Sequence, residues 1–275
     1  MKNYLKLVNF EVNRFFKLYL ILIGLTILSQ LIGAWIISQT YMKNAKQMMA
    51  EKQLSMNQYK EQYGTFSFDQ FTDSEWFLLP IFFCIAMLMI YVFFIWYRDW
   101  FGKNTFIYRL LMLPTERMVI YFAKLTTIML LVLGLIALQI VLILMEKQIV
   151  NSMIPIDFQS NFSIYSSSTL NMWRWLYPTT FTEFILVYAV GLLFVAVIFT
   201  AILIERSYGL KGIFGAIFYG LLSLVVFYAP IFFVNFYTNY FYPLEIFLMV
   251  VVASMIVLGS AIWIANHLLK YKIRV

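Results

Sequence analysis

Few side chains in this sequence are suited to acid, base, nucleophile or metal chemistry, and their spacing narrows the field further. The one histidine, His267, lies beside Asn266 and near Lys270 at the end of an apolar run. A cation-favouring helix C-terminus suits it there better than general-base or ligand work. The one cysteine, Cys84, falls inside an apolar run, which leaves no partner for an internal disulfide and no cysteine metal cluster. No H-E-x-x-H, paired acidic motif or G-x-S-x-G occurs, so metalloprotease and serine-hydrolase chemistry lose their support. Gly102-Lys103 is followed by Asn104, and position 97 is Tyr where a phosphate loop would begin with glycine. The chain is therefore expected to hold no catalytic residue, metal or cofactor of its own.

Two carboxylates, Glu183 and Glu245, approach the apolar runs near their outer ends. An intramembrane carboxylate marks a candidate substrate path because burying it is costly, and interfacial exposure is the competing reading. No ladder of carboxylates crosses the apolar runs, which weighs against proton-coupled or sodium-coupled carriage.

The surroundings of these residues are those of a membrane protein. Of the 275 residues, 63% are hydrophobic, 20% aromatic and only 12% charged, more apolar surface than a soluble core can hide. The net charge of +7 would suit nucleic acid, but the basic residues flank apolar runs as the positive-inside rule requires, so no nucleic acid is expected. The fold class read from these runs is an all-α integral membrane protein forming one transmembrane domain. Six spans are expected at 18–38, 76–97, 116–145, 181–204, 212–234 and 244–269, since about 20 apolar residues cross a hydrocarbon core. Residues 2–19 alternate in helical period, with Leu5, Val8, Val12, Phe15 and Tyr19 on one side and Lys6, Asn9, Asn13 and Lys17 on the other, which marks 2–17 as an amphipathic interfacial helix. Segments 39–75 and 146–178 lie outside the cell. In the first, 42–63 has the composition of a helix or helical hairpin, and Met42, Met48, Met49 and Met56 suit either its buried face or an adaptable ligand contact.

In this topology 14 of the 20 lysines and arginines fall on the inner side, which places both termini in the cytoplasm. Gly212, Ala216 and Gly220, spaced by four, align small residues on one helix face for close packing.

The longest basic interruption, 96–124, joins the second and third spans and carries Arg98, Lys103, Arg109, Arg117 and Lys124 against Asp99 and Glu116. Residues 99–112 are expected to form a short interfacial helix, broken before Pro114, with Thr115 capping the next helix. The first two turns of that helix are expected to project into the cytosol, with Arg117, Tyr121 and Lys124 on one face.

This layout resembles the permease subunits of the second class of bacterial ATP-binding-cassette exporters. The run Leu111-Met112-Leu113-Pro114-Thr115-Glu116-Arg117, followed by Ala123-Lys124, is similar to a leucine-proline, arginine and alanine-lysine pattern in that family. The resemblance implies that 2–17 is a connecting helix and 99–112 a coupling helix. It also implies two copies of a separate cytoplasmic ATPase carrying ATP and Mg, a second permease copy or paralogue, and a bacterial cell membrane location in contact with membrane lipid. Trp100, Phe101, Phe106 and Ile107 would then anchor the ATPase and Lys103 and Arg109 supply charge, as aromatic and arginine side chains tend to dominate interfaces. The cargo expected from so aromatic and methionine-rich a chain is amphipathic or hydrophobic, an antimicrobial or toxin peptide first and a lipid-linked compound second. A membrane scaffold or sensor that moves nothing is the alternative.

Overall fold

The computed structural model describes residues 2–101, 106–112, 116–159, 176, 178, 180–236 and 241–273, without the side chains of residues 2, 106 and 108. Among the described residues the order is α1 (Lys2–Glu51), α2 (Met56–Tyr63), α3 (Phe68–Thr72), α4 (Glu75–Phe101), α5 (Phe106–Leu111), α6 (Arg117–Met153), α7 (Phe181–Tyr208), α8 (Leu210–Phe236) and α9 (Pro243–His267). A 3-10 turn at Ile156–Phe158 and a π-turn at Leu268–Lys272 complete it. The strand-like pairing seen among these residues is an isolated bridge between Phe66 and Gln159. Helices α1, α4, α6, α7, α8 and α9 are each long and apolar enough to cross a membrane. The chain is an all-α protein of multi-pass membrane type.

Each expected span coincides with one of these helices, although 116–145 begins one residue before α6 and 244–269 ends in the π-turn after α9, and most of the helices run past the expected ends. The largest departure is α1. Residues 2–17 are not a separate interfacial helix but the first turns of a helix of 50 residues, about 75 Å long at 1.5 Å per residue. The physical reason is that nothing between Lys17 and Leu18 breaks a helix, so a change of polarity alone does not end it. Its buried positions, Val8, Glu11, Phe15, Leu22, Thr26, Gln30, Ala34, Ser38 and Ala45, recur at three, four or seven residues and mark one face. The expected apolar face is thereby rotated, since Leu5 is 62% exposed. The helix ends where Gln53 takes φ of +48°, and Ser55 then caps α2 while the Gln58 side chain accepts from the Ser55 backbone. Segment 39–75 is thus a helical hairpin at its start, as one of its two expected forms.

The chain divides into two compact units, each with its own core. One comprises Arg14–Met87 and Leu130–Phe184. Its core gathers Tyr59 from α2, Phe68 and Phe71 from α3, Phe77 and Ile81 from α4, Val150 from α6 and Phe158 from the 3-10 turn. Rings of Phe71 and Phe77 meet edge to face at 5.4 Å, and those of Tyr59 and Phe158 at 6.1 Å. Met42, Met49 and Met56 pack against this core, the ordinary burial that was one of their two readings, while Met48 is exposed. Close packing of α1 on α4 is set at Gly33, where a Cβ would lie 2.4 Å from the Trp76 Cβ.

The other unit comprises Met1–Asn13, Leu88–Met129 and Ile185–Val275. Leu193 and Val197 of α7, Tyr219 and Phe227 of α8 and Val257 of α9 form one core cluster in it. The turn between α7 and α8 is a single glycine, Gly209, at φ of +59°, a left-handed conformation that other residues adopt at a cost. Glu205 and Arg206, which fall between the expected spans 181–204 and 212–234, are therefore helical. The buried face of α8 is Gly212, Tyr219, Ser223, Phe227 and Pro230, not the expected Gly212, Ala216 and Gly220. A Cβ at Gly212 would stand 2.6 Å from the carbonyl oxygens of Ile204 and Glu205, whereas one at Gly220 would meet nothing within 4 Å. Spacing by four aligns small residues but does not say which side of the helix meets its neighbour.

Candidate functional site

The feature with most chemistry in the first-described segments of the second of these units is a buried cluster of four charges. Lys124, on α6, is fully buried, and its Nζ donates to Glu11 Oε1 at 2.7 Å, Asp99 Oδ2 at 2.5 Å and the Ile95 carbonyl at 2.9 Å. Glu11 Oε2 accepts from the Arg98 guanidinium at 2.9 Å. Side-chain exposures of 0% for Lys124, 0% for Asp99 and 3% for Glu11 make these charges dependent on one another, because an isolated ion in that setting is very costly. Two cations balance two anions, and the Trp96 ring centroid lies 5.2 Å from the ammonium, which favours the cation further.

Helix geometry explains why these residues meet. Glu11 lies three residues after Val8 and four before Phe15, on the buried face of α1. Arg98 and Asp99 occupy the last turn of α4, and Lys124 lies two turns into α6. Arg117, Tyr121 and Lys124 do share one face of α6, but each reaches into the protein and none of the three is fully exposed. Arg117 donates to the carbonyls of Leu269 at 2.5 Å and Ile273 at 2.7 Å, satisfying acceptors where α9 runs into the π-turn. Tyr121, also fully buried, donates to the Ala196 carbonyl of α7 at 3.0 Å, and its ring meets Phe199 edge to face at 5.8 Å. Thr200 beside it donates to the Ala261 carbonyl of α9 at 3.1 Å. The first turns of α6 are a hub for α1, α4, α7 and the π-turn after α9. These turns, expected to project into the cytosol, pack within the protein: an aromatic ring and a lysine with two carboxylate partners are held inside.

Around the end of α4 the remaining expected residues separate into two sets. Ile107 is 1% exposed, and with Leu110 and Leu111 it seats α5 on its own chain instead of offering an anchor to a partner. Phe101 is 72% and Met112 69% exposed, and Arg109 is exposed as well. Phe101 stacks on Tyr97 at 5.8 Å, and the Arg206 guanidinium lies 4.5 Å from its ring centroid. Tyr97 donates to the Glu205 carboxylate, which fixes the end of α4 against α7. Trp100 is half-buried. Lys103, Pro114 and Thr115 and the Phe106 side chain lie outside the described residues. The expected helix at 99–112 is shorter in the structure: 99–101 complete α4, and α5 begins at Phe106.

The two expected substrate-path carboxylates fall in different units. Glu245 Oε2 accepts the backbone N–H of Tyr242 at 3.0 Å, a reciprocal cap at the start of α9 that follows from Pro243 at the first helical position. Glu183 is half-buried in the first turn of α7, where its N–H donates to Thr180 Oγ1 at 3.2 Å. His267 is exposed at the end of α9, between the rings of Trp263 at 6.3 Å and Tyr271 at 5.1 Å. Sequence reasoning missed a third carboxylate. Glu146 of α6, taken as the start of an outer segment, is fully buried with neither oxygen hydrogen-bonded among the described residues. Its signal was available, because Gln139, Leu142, Glu146 and Val150 follow helical spacing straight out of the third apolar run. Among the described residues no group of three or more His, Cys, Asp or Glu is placed to hold a metal ion. Comparison with protein-family models, curated proteins and solved structures gives no match to this chain.

Proposed function

We propose that this chain is the transmembrane permease subunit of an ATP-driven exporter, working with a second permease copy or paralogue and two copies of a separate cytoplasmic ATPase. The observation that carries the reading is the short helix α5 between the second and third spans. Its inner side is seated by Ile107, Leu110 and Leu111, and Arg109 and Met112 stay exposed, as does Phe101 at the end of α4. Such an edge, one cation among exposed apolar side chains, is suited to a protein partner. The helices flanking α5 in sequence, α4 and α6, are joined through Asp99 and Lys124 and through Glu11 to α1. A displacement of α5 by a partner would be passed to three helices through contacts too costly to break singly.

In this reading the excess of lysine and arginine at one end of the spans sets both termini in the cytoplasm of a bacterial cell. ATP and Mg are held by the partner, and the cargo is amphipathic or hydrophobic. Inside-out vesicles from cells with and without the chain test the transport step. ATP-dependent uptake of an amphipathic cationic peptide in the first and not the second is expected. Equal uptake in both would leave the chain a non-transporting scaffold or sensor, and uptake of lipid-linked compounds alone would move the cargo to that class.

A further inference from the structure

Helix α4 contains Pro80 four residues after Trp76. Proline has no backbone N–H, so the Trp76 carbonyl loses its helical donor. Ser29 of α1 stands in for it, its hydroxyl directed at that carbonyl at 3.4 Å. A groove of about 520 Å³ opens here between α1 and α4, lined by Leu25, Ser29, Glu75, Trp76, Leu79, Pro80 and Phe83. Its walls are apolar and reach the surface: Leu25 is 41%, Leu79 63% and Phe83 42% exposed. Its one ionisable group, Glu75, sits at one end, at the first residue of α4, and forms no ion pair within 4 Å among the described residues. From Glu75 to Phe83 the groove extends roughly 12 Å along the helix.

A volume in the range of small-molecule sites, apolar walls and a single convergent charge define what fits. A zwitterionic or anionic lipid would bring a phosphate against Glu75, whereas a cationic head would meet a carboxylate at the interface while its chain follows Leu79, Phe83 and Leu25 inward. Trp76, 44% exposed beside the head position, suits the boundary between polar and apolar layers. We infer that this groove is a binding site for a single-chain amphipathic cation, an alkylammonium in its simplest form, with Glu75 as the counter-charge. Calling the occupant cargo rests on the proposed exporter function, but the binding itself does not.

The experiment uses the purified full chain in nanodiscs of zwitterionic lipid, with 12-bromododecyltrimethylammonium as probe and bromine quenching of tryptophan fluorescence as readout. Saturable quenching that is lost in Trp76→Phe is expected. Glu75→Gln should weaken it about fivefold, near the upper worth of an exposed ion pair, and Leu79→Phe should weaken it further by filling the groove without adding a fluorophore that the readout would report. A bromododecyl maltoside should be indifferent to Glu75→Gln. All three substitutions lie at exposed positions, and unchanged elution and helicity would exclude misfolding. Quenching that rises without saturation, or an affinity for the cation unchanged in Glu75→Gln, would overturn the proposal and leave lipid partitioning in its place. ATPase association is not involved, so failure here and failure of the exporter reading are separable.

Discussion

Replacing Lys124 with methionine keeps the apolar stem and removes one charge from a cluster in which four balance. Asp99 then loses its 2.5 Å contact and Glu11 its 2.7 Å contact, while the Arg98 bond to Glu11 at 2.9 Å remains. Two charge-assisted hydrogen bonds at about 1.5–3 kcal/mol each give a loss of about 3–6 kcal/mol. Removal of one partner from a buried pair gives about 3–5 kcal/mol independently, and the retained Arg98 argues for the lower half. We expect Lys124→Met to destabilise the protein by about 3–4 kcal/mol. Adding Asp99→Asn restores neutrality with Glu11 and Arg98 still paired, and should recover about half of that. Unfolding by sodium dodecyl sulfate in mixed micelles, followed by circular dichroism, measures each step. Trp96, whose ring centroid is 5.2 Å from the ammonium, gives a local fluorescence readout. A Lys124→Met variant within about 1 kcal/mol of the parent would refute the reasoning, as would purely additive losses in the double variant.

Three further outcomes follow from the same packing. Glu146→Met should stabilise the protein by about 1–3 kcal/mol, since an apolar side chain of similar volume replaces a buried carboxylate with no hydrogen-bond partner among the described residues; a loss above about 1 kcal/mol in the same unfolding assay would mean the carboxylate is satisfied. Gly212→Ala should cost about 1–3 kcal/mol, because the new Cβ would press on backbone carbonyls at 2.6 Å, while Gly220→Ala, with nothing within 4 Å, should be neutral or slightly stabilising; thermal melting of the two variants decides. Phe101→Ala and Ile107→Ala should separate by assay, the exposed Phe101 affecting ATPase co-purification with little change in melting, and the buried Ile107 lowering the melting temperature.

The six apolar helices were legible because length and hydropathy alone set them, and their ends were not, because polarity can change within a helix without breaking it. α1 illustrates this, running through the polar stretch 39–51 until Gln53 and the Ser55 cap. That S-x-x-Q box was readable in advance, as was the cap that Glu245 forms beside Pro243. The charge cluster was only half legible. Lys124 stood out as basic, but Glu11, its partner 113 residues earlier, meets it only through tertiary packing. A clue was present, for Glu11 is the one acid in the first 50 residues and interrupts an apolar face. Burial reversed the expectation for Ile107 for the same reason: side-chain type suggests an interface, and only the neighbours decide whether it lies inside the chain or on it.

The exporter reading turns on whether a separate ATPase docks on the edge formed by Phe101, Arg109 and Met112. Affinity purification of the tagged chain from native membranes, followed by ATP hydrolysis in the eluate, measures this directly, with Arg109→Glu as the matched variant. The expected result is ATP hydrolysis in the parent eluate, its loss in the variant at equal chain recovery, and none from the chain expressed alone. An eluate without hydrolysis, or hydrolysis undiminished by Arg109→Glu, would contradict it.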